Sequence, residues 1–357
     1  MSLSGARGLA RISQNPRCDL QTAMVIGQVD EIEFYEALTK RQFEGEYGER
    51  ISARRRGNKF EASLHQNNAA ELRRILAPRF GYDPERMYVR NLADEIPDYM
   101  TEVHRNRYVR MMRVFADVAG GYEPPSVPHL LIEPQLRLPV SDSRFVYVAP
   151  DFAVFEPATK CYVVGEEKSM IVRAGSPDRV DLERTRRQAG AEALALRLLG
   201  DQLNLFERVR DRAIFVFSSP FDITPHQPVE EYLHAEVSEI RRALERYRAV
   251  SEELQVYGKE DGKKVVARAH QLGINFQNSC LSSCALFYNC KDRVSNTAVV
   301  LGDEAKDAFG GTTELEHLYA LADGTVEAKS AEEGALAVRL RETAILLGVE
   351  DLCSGKG

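Results

Sequence analysis

The chain has no tryptophan, only six cysteines in 357 residues, and fewer basic than acidic side chains. Its 47 Lys and Arg against 54 Asp and Glu give a formal net charge of −7. That deficit argues against a general polyanion binder, which would carry basic residues over much of its surface. No uninterrupted apolar run is long enough to cross a bilayer. The polar N-terminal sequence lacks the apolar core of a secretory signal, so a cytoplasmic protein with no membrane partner is expected. A reducing compartment makes disulfides a poor reason for the cysteines. Internal repeats and low-complexity tracts are absent, and the missing tryptophan excludes nothing.

What is present is enough chain to bury a large core, in one elaborated domain or two units. Charged sequence with helical character runs over about 19–77, and a second helical block over about 92–118. Gly120-Gly121 and the proline-rich Glu123-Pro124-Pro125-Ser126-Val127-Pro128 close that block. Leu130 to Val140 reads as one strand, with a turn at Ser141-Asp142-Ser143. Phe145 to Val148 continues into Asp151 to Phe155, Glu156-Pro157-Ala158-Thr159 turns the chain, and Cys161 to Val164 returns. Short turns between aromatic and β-branched runs predict an antiparallel meander. A helix is predicted over about 177–199, a buried strand over Arg212–Phe217, and a long amphipathic helix over about 229–256. Glu314–Ala322 and Ala331–Leu347 read as helices, with Thr313 as an N-cap and Gly324 and Gly348 as stops.

Within the meander stands Pro150-Asp151 … Glu166-Glu167-Lys168, a D-x14-E-x-K pattern with both acids at the ends of apolar runs. Period-2 geometry places Glu166 and Lys168 on one face of a strand and Glu167 on the other. The hairpin spacing lets Asp151 and Glu166 meet on adjacent strands. Oxygen donors of this kind suit Mg2+ or Mn2+, which activates water and offsets phosphate charge.

Further segments extend the pattern. Arg56-Gly57-Asn58-Lys59-Phe60-Glu61 lies upstream, and His65 shares a helix face with Glu61. Gln188 lies on the helix that follows the meander, beside Arg184, Arg186 and Arg187. With Arg54, Arg55 and Arg56 these arginines border the motifs, where phosphates would pass. Arg241, Arg242, Arg246 and Arg248 line a later helix. Cys280, Cys284 and Cys290 lie close together near the C-terminal end, a thiolate group suited to zinc or an iron–sulfur centre. Cys161, in an apolar strand, reads as a small buried hydrophobe, and Cys353 as an alternative fourth ligand.

These motifs resemble the PD-(D/E)XK nuclease superfamily, and within it the RecB-like exonucleases. The resemblance implies an α/β, restriction-endonuclease-like core: a mixed central sheet flanked by helices, with a helical insertion and a C-terminal helical, cysteine-rich region. The implied division is an N-terminal helical segment over 1–56, a nuclease core over 57–220 with the insertion at 92–120, and a C-terminal region over 221–357. Asp151, Glu166 and the carbonyl of Glu167 would hold the cation, Glu61 or His65 would complete the ligand set, and Lys168 would act on the attacking water. Gln188 matches the first residue of the family's Q-x3-Y motif, but Glu192 stands where the tyrosine belongs. A subset of these nucleases, including the AddB type and the CRISPR adaptation nucleases, holds a [4Fe–4S] cluster with one cysteine before the core and three after it. Cys18 matches the early position, so Cys18, Cys280, Cys284 and Cys290 would clasp the core. Zinc held by His270 and the three later cysteines is the alternative. The expectation is a Mg2+- or Mn2+-dependent deoxyribonuclease, an exonuclease on single-stranded ends in DNA repair or phage defence, with a helicase or an adaptation integrase as partner. The alternative is an inactive nuclease-fold protein that binds nucleic acid or a partner.

Overall fold

Among the described residues, ten short strands are built, most of them from the β-branched and aromatic runs of the middle of the chain. They are β1 (Val89–Asn91), β2 (Leu130–Ile132), β3 (Leu136–Pro139), β4 (Phe145–Val148), β5 (Phe152–Glu156), β6 (Cys161–Lys168), β7 (Val172–Arg173), β8 (Ser176–Pro177), β9 (Arg212–Phe217) and β10 (Val229–Tyr232). Six of them form a mixed sheet in the order β1-β2-β5-β6-β9-β10. The computed structural model describes residues 5–42, 51–98, 100, 102–141, 144–169, 172–173, 176–177, 179–205, 207–219, 224–277, 280, 284–301, 307, 309 and 314–346.

By its internal contacts the chain divides into two units, one of Met1–Asp30 with Glu49–Leu272, the other of Glu31–Gly48 with Gly273–Gly357. The sequence boundaries at 56 and 220 fall elsewhere. The first unit keeps the N-terminal helices α1 (Gly5–Gln14) and α2 (Asp19–Ile26), because α1 packs on α7 (Arg179–Gln202) and both pack on α8 (His234–Leu254).

In the first unit β2, β5 and β6 are successively antiparallel, and β9 returns parallel to β6. A parallel return needs a crossover, and α7 supplies it. Apolar side chains of α4 (Ile51–Phe80), among them Phe60, Leu64, Leu72 and Leu76, pack on Leu130, Ile132, Phe152, Val154, Val163, Ile214 and Val216. The helix α7 packs against β6 and β9. Seven consecutive residues of β6, Cys161 to Glu167, are buried, as expected of a strand covered on both faces. The helix α4 is broken after His65. Gln66 is extended and Asn67, Asn68 and Ala69 are left-handed, a conformation that asparagine tolerates better than most residues. At Gly165 the ring of Phe152 lies so close that a Cβ would fall 2.0 Å from its Cζ, so this strand position demands glycine.

Several elements differ from the sequence reading. Leu130–Val140 is two strands, not one: the chain leaves the main sheet at Glu133-Pro134, and β3 pairs with β4 in a separate ribbon. Glu133 is left-handed (φ 47°) and Pro134 lacks an N–H for a ladder, so the strand cannot continue there. β4 and β5 are likewise separate. The stretch expected as a helix from 229 begins as the edge strand β10, antiparallel to β9, and turns helical only at His234. The block over 92–118 is two helices, α5 (Leu92–Glu95) and α6 (Val103–Ala119). A short α9 (Gly262–Arg268) and a single turn over Ala269–Gln271 end the first unit.

The second unit contains α3 (Glu31–Thr39) and helices over Phe287–Arg293, Leu315–Asp323 and Ala331–Leu346. Ala298, Leu318 and Leu336 form its buried cluster, flanked by Phe309, Leu315 and Leu340. Gly324 closes the Leu315–Asp323 helix in the left-handed conformation its position calls for. Glu314 occupies the N-cap position of that helix, and Thr313 and Gly348 lie outside the described residues. Among the described residues no helix is long and apolar enough to cross a membrane.

Candidate active site

The C-terminal end of β6 lies beside the parallel β9, with Glu166 and Lys168 in register with Phe215 and Phe217. Strand alternation turns Glu166 and Lys168 toward the face that carries α7, and Glu167 toward α4. The side-chain contacts agree. Gln188 of α7 donates from Nε2 to Glu166 Oε2 at 3.0 Å, whereas His65 Nε2 of α4 lies 3.1 Å from Glu167 Oε1.

Asp151 immediately precedes β5, and the β5–β6 hairpin, which pairs Phe152 with Gly165, brings it to the same end of the sheet. Its Oδ2 accepts the backbone N–H of Glu167 at 2.6 Å and lies 3.4 Å from Lys168 Nζ. The Lys168 ammonium also ion-pairs with Glu166 Oε2, so it bridges the two carboxylates of the motif. On the α4 side, Glu61 and His65 converge with Glu133. One ligand-type atom from each lies within 4.8 Å of the others, the one such group among the described residues. Glu133 is held there by its own N–H, which donates to the Asp151 carbonyl at 3.0 Å, and by Arg107 Nη1, which donates to its Oε2 at 3.1 Å.

Among the described residues, six carboxyl groups therefore share one end of the sheet: Glu61, Glu133, Asp151, Glu166, Glu167 and Glu192. Their basic partners are Lys168, Arg107 and His65. Glu166 and Glu192 are completely buried. Burial, and then the Asp151 charge, raises the carboxyl pKa of both Glu61 and Glu166. Burial and the neighbouring Glu166 push Glu192 well above the carboxylate range, and burial pushes Glu167 up to about 7. For Lys168, burial works against the ammonium, but Asp151 and Glu166 outweigh it and raise its pKa. For His65, burial is likewise outweighed, here by the hydrogen bond and charge of Glu167. Glu166 Oε1, Glu167 Oε2 and Glu192 Oε2 are buried without a hydrogen-bond partner. Orphaned, crowded carboxylate oxygens are costly without positive charge beside them, and hard oxygen donors of this kind fit a divalent cation.

The structure thus gathers Glu61, His65, Asp151, Glu166, Glu167, Lys168 and Gln188 in one place. Glu133 and Arg107 were not found from the sequence. The signal for Glu133 was the Glu-Pro pair that ends the Leu130–Ile132 run, a strand break beside a carboxylate. Glu192 is more than a lost tyrosine: Gln188 Nε2 lies 3.4 Å from its Oε1, and it neighbours Glu166.

Several of the arginines expected to border the motifs have acidic or carbonyl partners within the chain. Arg186 pairs with Glu231 and Glu236, Arg187 with Glu239, and Arg184 lies 3.7 Å from Asp181. Arg56 donates to Ser218 and to the Ser219 carbonyl. On the later helix Arg246 pairs with Asp19, and Arg248 donates to the Pro139 and Val140 carbonyls. Arg241 and Arg242 are exposed.

Cys18 is buried at the N-cap position of α2, where its carbonyl accepts the Thr22 hydroxyl at 3.0 Å. His270, in a single helical turn, belongs to the same unit. Cys280, Cys284 and Cys290 belong to the second unit. The Cys284 N–H donates to the Cys280 carbonyl at 2.9 Å, and Cys290 is buried on the Phe287–Arg293 helix. None of these is in a disulfide. Cys161 is buried in β6, where burial pushes its thiol up to about 11, consistent with an inert core residue. Cys353 lies outside the described residues. No family model, curated protein or solved structure matches the chain.

Proposed function

We propose that the protein is a Mg2+- or Mn2+-dependent deoxyribonuclease of the PD-(D/E)XK type, resembling the RecB-like exonucleases and acting on single-stranded ends. The observation that carries this reading is the meeting of Asp151, Glu166 and Lys168 at one end of β5 and β6, with Asp151 locked to the backbone of Glu167. A helix, three antiparallel strands, a crossover helix and a parallel strand, in that order, build the support for this set.

Asp151 and Glu166, with the Glu167 carbonyl, would hold the cation, which supplies Lewis acidity toward water and phosphate. Lys168, which bridges Asp151 and Glu166, would orient the attacking water and offset charge on the phosphate. Gln188 fixes the carboxylate of Glu166 through its Nε2. Glu167 orients His65 from the opposite face of the strand. Cys18, Cys280, Cys284 and Cys290 would hold a [4Fe–4S] centre, with zinc on His270, Cys280, Cys284 and Cys290 as the alternative; the centre would be structural, because phosphodiester hydrolysis needs no electron.

A second reading, a nuclease fold without turnover that binds nucleic acid, is favoured by Glu192 and by the internal pairing of Arg186 and Arg187. End-labelled single- and double-stranded DNA and RNA, incubated with wild type in Mn2+, Mg2+ or EDTA, separates the two. Cleavage of DNA that EDTA abolishes supports the enzyme, and metal-independent binding without cleavage supports the second reading.

A further inference from the structure

We propose that the aromatic cavity beside the β3–β4 ribbon holds one unpaired nucleobase of a DNA strand, whose phosphates lie along α6. The inference deepens the nuclease reading and rests on it for treating that strand as substrate. The cavity measures about 520 Å³, within the range of small-ligand sites, and its lining residues all belong to the first unit. Phe145, Tyr147, Tyr247 and Tyr257 supply four rings to its wall.

Flat groups already stack on three of these rings. Arg137 Cζ lies 4.0 Å from the Phe145 centroid and Arg144 Cζ 4.2 Å from that of Tyr257, and the His104 ring stacks on Tyr147 at 5.8 Å. A nucleobase is a flat group of the same kind, and aromatic stacking grips single strands whatever their sequence. Arg144 and His104 are exposed, so both have room to give way to a base.

Charge separates the place for the base from the place for its phosphates. Arg144 and Glu260 are the one guanidinium and the one carboxylate of the lining, which therefore suits an uncharged ring. The helix α6, by contrast, carries His104, Arg105, Arg107, Arg110 and Arg113 against one acid, Asp117. Arg110 and Arg113 are exposed, as a phosphate contact requires. His104 joins the two places: it lines the cavity, and its Nδ1 lies 2.9 Å from Gln135 Oε1, two residues beyond Glu133. Arg107, one helical turn along α6, holds Glu133 itself. A backbone leaving the cavity at His104 thus runs toward the carboxylate site.

The test is the fluorescence of single strands carrying one 2-aminopurine at successive positions, titrated with the full chain in EDTA. Stacking on a tyrosine quenches this base. Wild type should quench it within the strand and cause no change in a blunt duplex. Tyr147→Leu and Tyr257→Leu should each remove the quench and weaken binding by about 5–100-fold, the scale of one lost stacking contact. An abasic spacer at the quenched position should weaken binding by wild type likewise, which keeps the test decisive if a tyrosine variant does not fold. Arg110→Gln combined with Arg113→Gln should lower the salt slope of binding by about 1–2 and leave the quench at saturation. An unchanged slope would remove the phosphates from α6. No quench in wild type, undiminished binding of the abasic strand, or a quench unchanged in both tyrosine variants would overturn the cavity. So would a free 2-aminopurine deoxynucleotide that binds as tightly as the strand. Cleavage of the same strand in Mn2+ is scored separately. EDTA-sensitive cleavage without a quench sinks the cavity alone, and a quench without cleavage sinks the nuclease reading and the substrate role.

Discussion

Asp151 accepts the backbone N–H of Glu167 through Oδ2 at 2.6 Å, so the first acid of the motif is tied to the strand that carries the second. This contact is set by the β5–β6 register, in which Phe152 faces Gly165. The geometry of the proposed site therefore depends on hairpin packing one residue away from the carboxylates.

Gly165→Ala should test that dependence. The added methyl has no room, with the Phe152 ring 2.0 Å from where it would stand. Overpacking of this kind costs about 1–3 kcal/mol. Chemical denaturation should show a lower midpoint at unchanged slope, and an unaltered midpoint would mean that Phe152 does not cross Gly165.

The metal-free protein should lose stability as pH rises from about 4.5 toward 7. Glu61, Glu166 and Glu192 are raised, and Glu167 is pushed up to about 7 from an ordinary value of 4.5. The folded state then holds protons that the unfolded chain has released, so the slope is negative across that window. His65, also raised, contributes in the same direction: its stabilisation is present below its unfolded value and is lost above its folded one. Saturating Mn2+ should flatten the decline, because the cation takes over from the departing protons. Melting temperatures measured in EDTA and in Mn2+ across this pH range check it, and parallel curves would contradict it.

Glu192→Gln removes one of two neighbouring buried carboxyls while keeping the shape of the side chain. The metal-free variant should melt higher than wild type near neutral pH, by about 2–4 °C for each kcal/mol of burial and charge-crowding cost relieved. The gain should shrink at low pH, where Glu192 is protonated in both states. A lower melt near neutral pH would mean that Glu192 supports the fold as a carboxylate.

How much of this was legible depended on range. The buried strand β9 and the hairpin return into β6 are local patterns of β-branched and aromatic residues, and both were readable. The D-x14-E-x-K spacing gave the alternation that sets Glu166 against Glu167. At Glu133 the Glu-Pro break is in the sequence, but the contacts to Asp151 and Arg107 that place its carboxylate are encoded by no spacing. The acidic partners of Arg186 and Arg187 were not readable for the same reason. A run of arginines on a helix looks the same in sequence whether it faces phosphate or the acids of β10 and α8. β10 looked helical because Val229–Tyr232 is too short and too acidic to show a strand period, and pairing with β9 decides it.

For the proposed cysteine centre, Cys284→Ala should lower iron, labile sulfide and melting temperature together in protein purified without oxygen. Full iron content with an unchanged melt would remove Cys284 from the centre. Zinc without iron or sulfide in wild type would favour the alternative donor set.

The most direct measurement is the single-turnover rate of DNA cleavage in Mn2+ by wild type and Lys168→Ala, run side by side on end-labelled substrate. The account predicts EDTA-sensitive cleavage by wild type and a loss of about 10²–10³-fold or more in the variant, the scale expected when one charge-stabilising group is removed. Equal rates in the two proteins, or no cleavage by wild type under any metal condition, would contradict it.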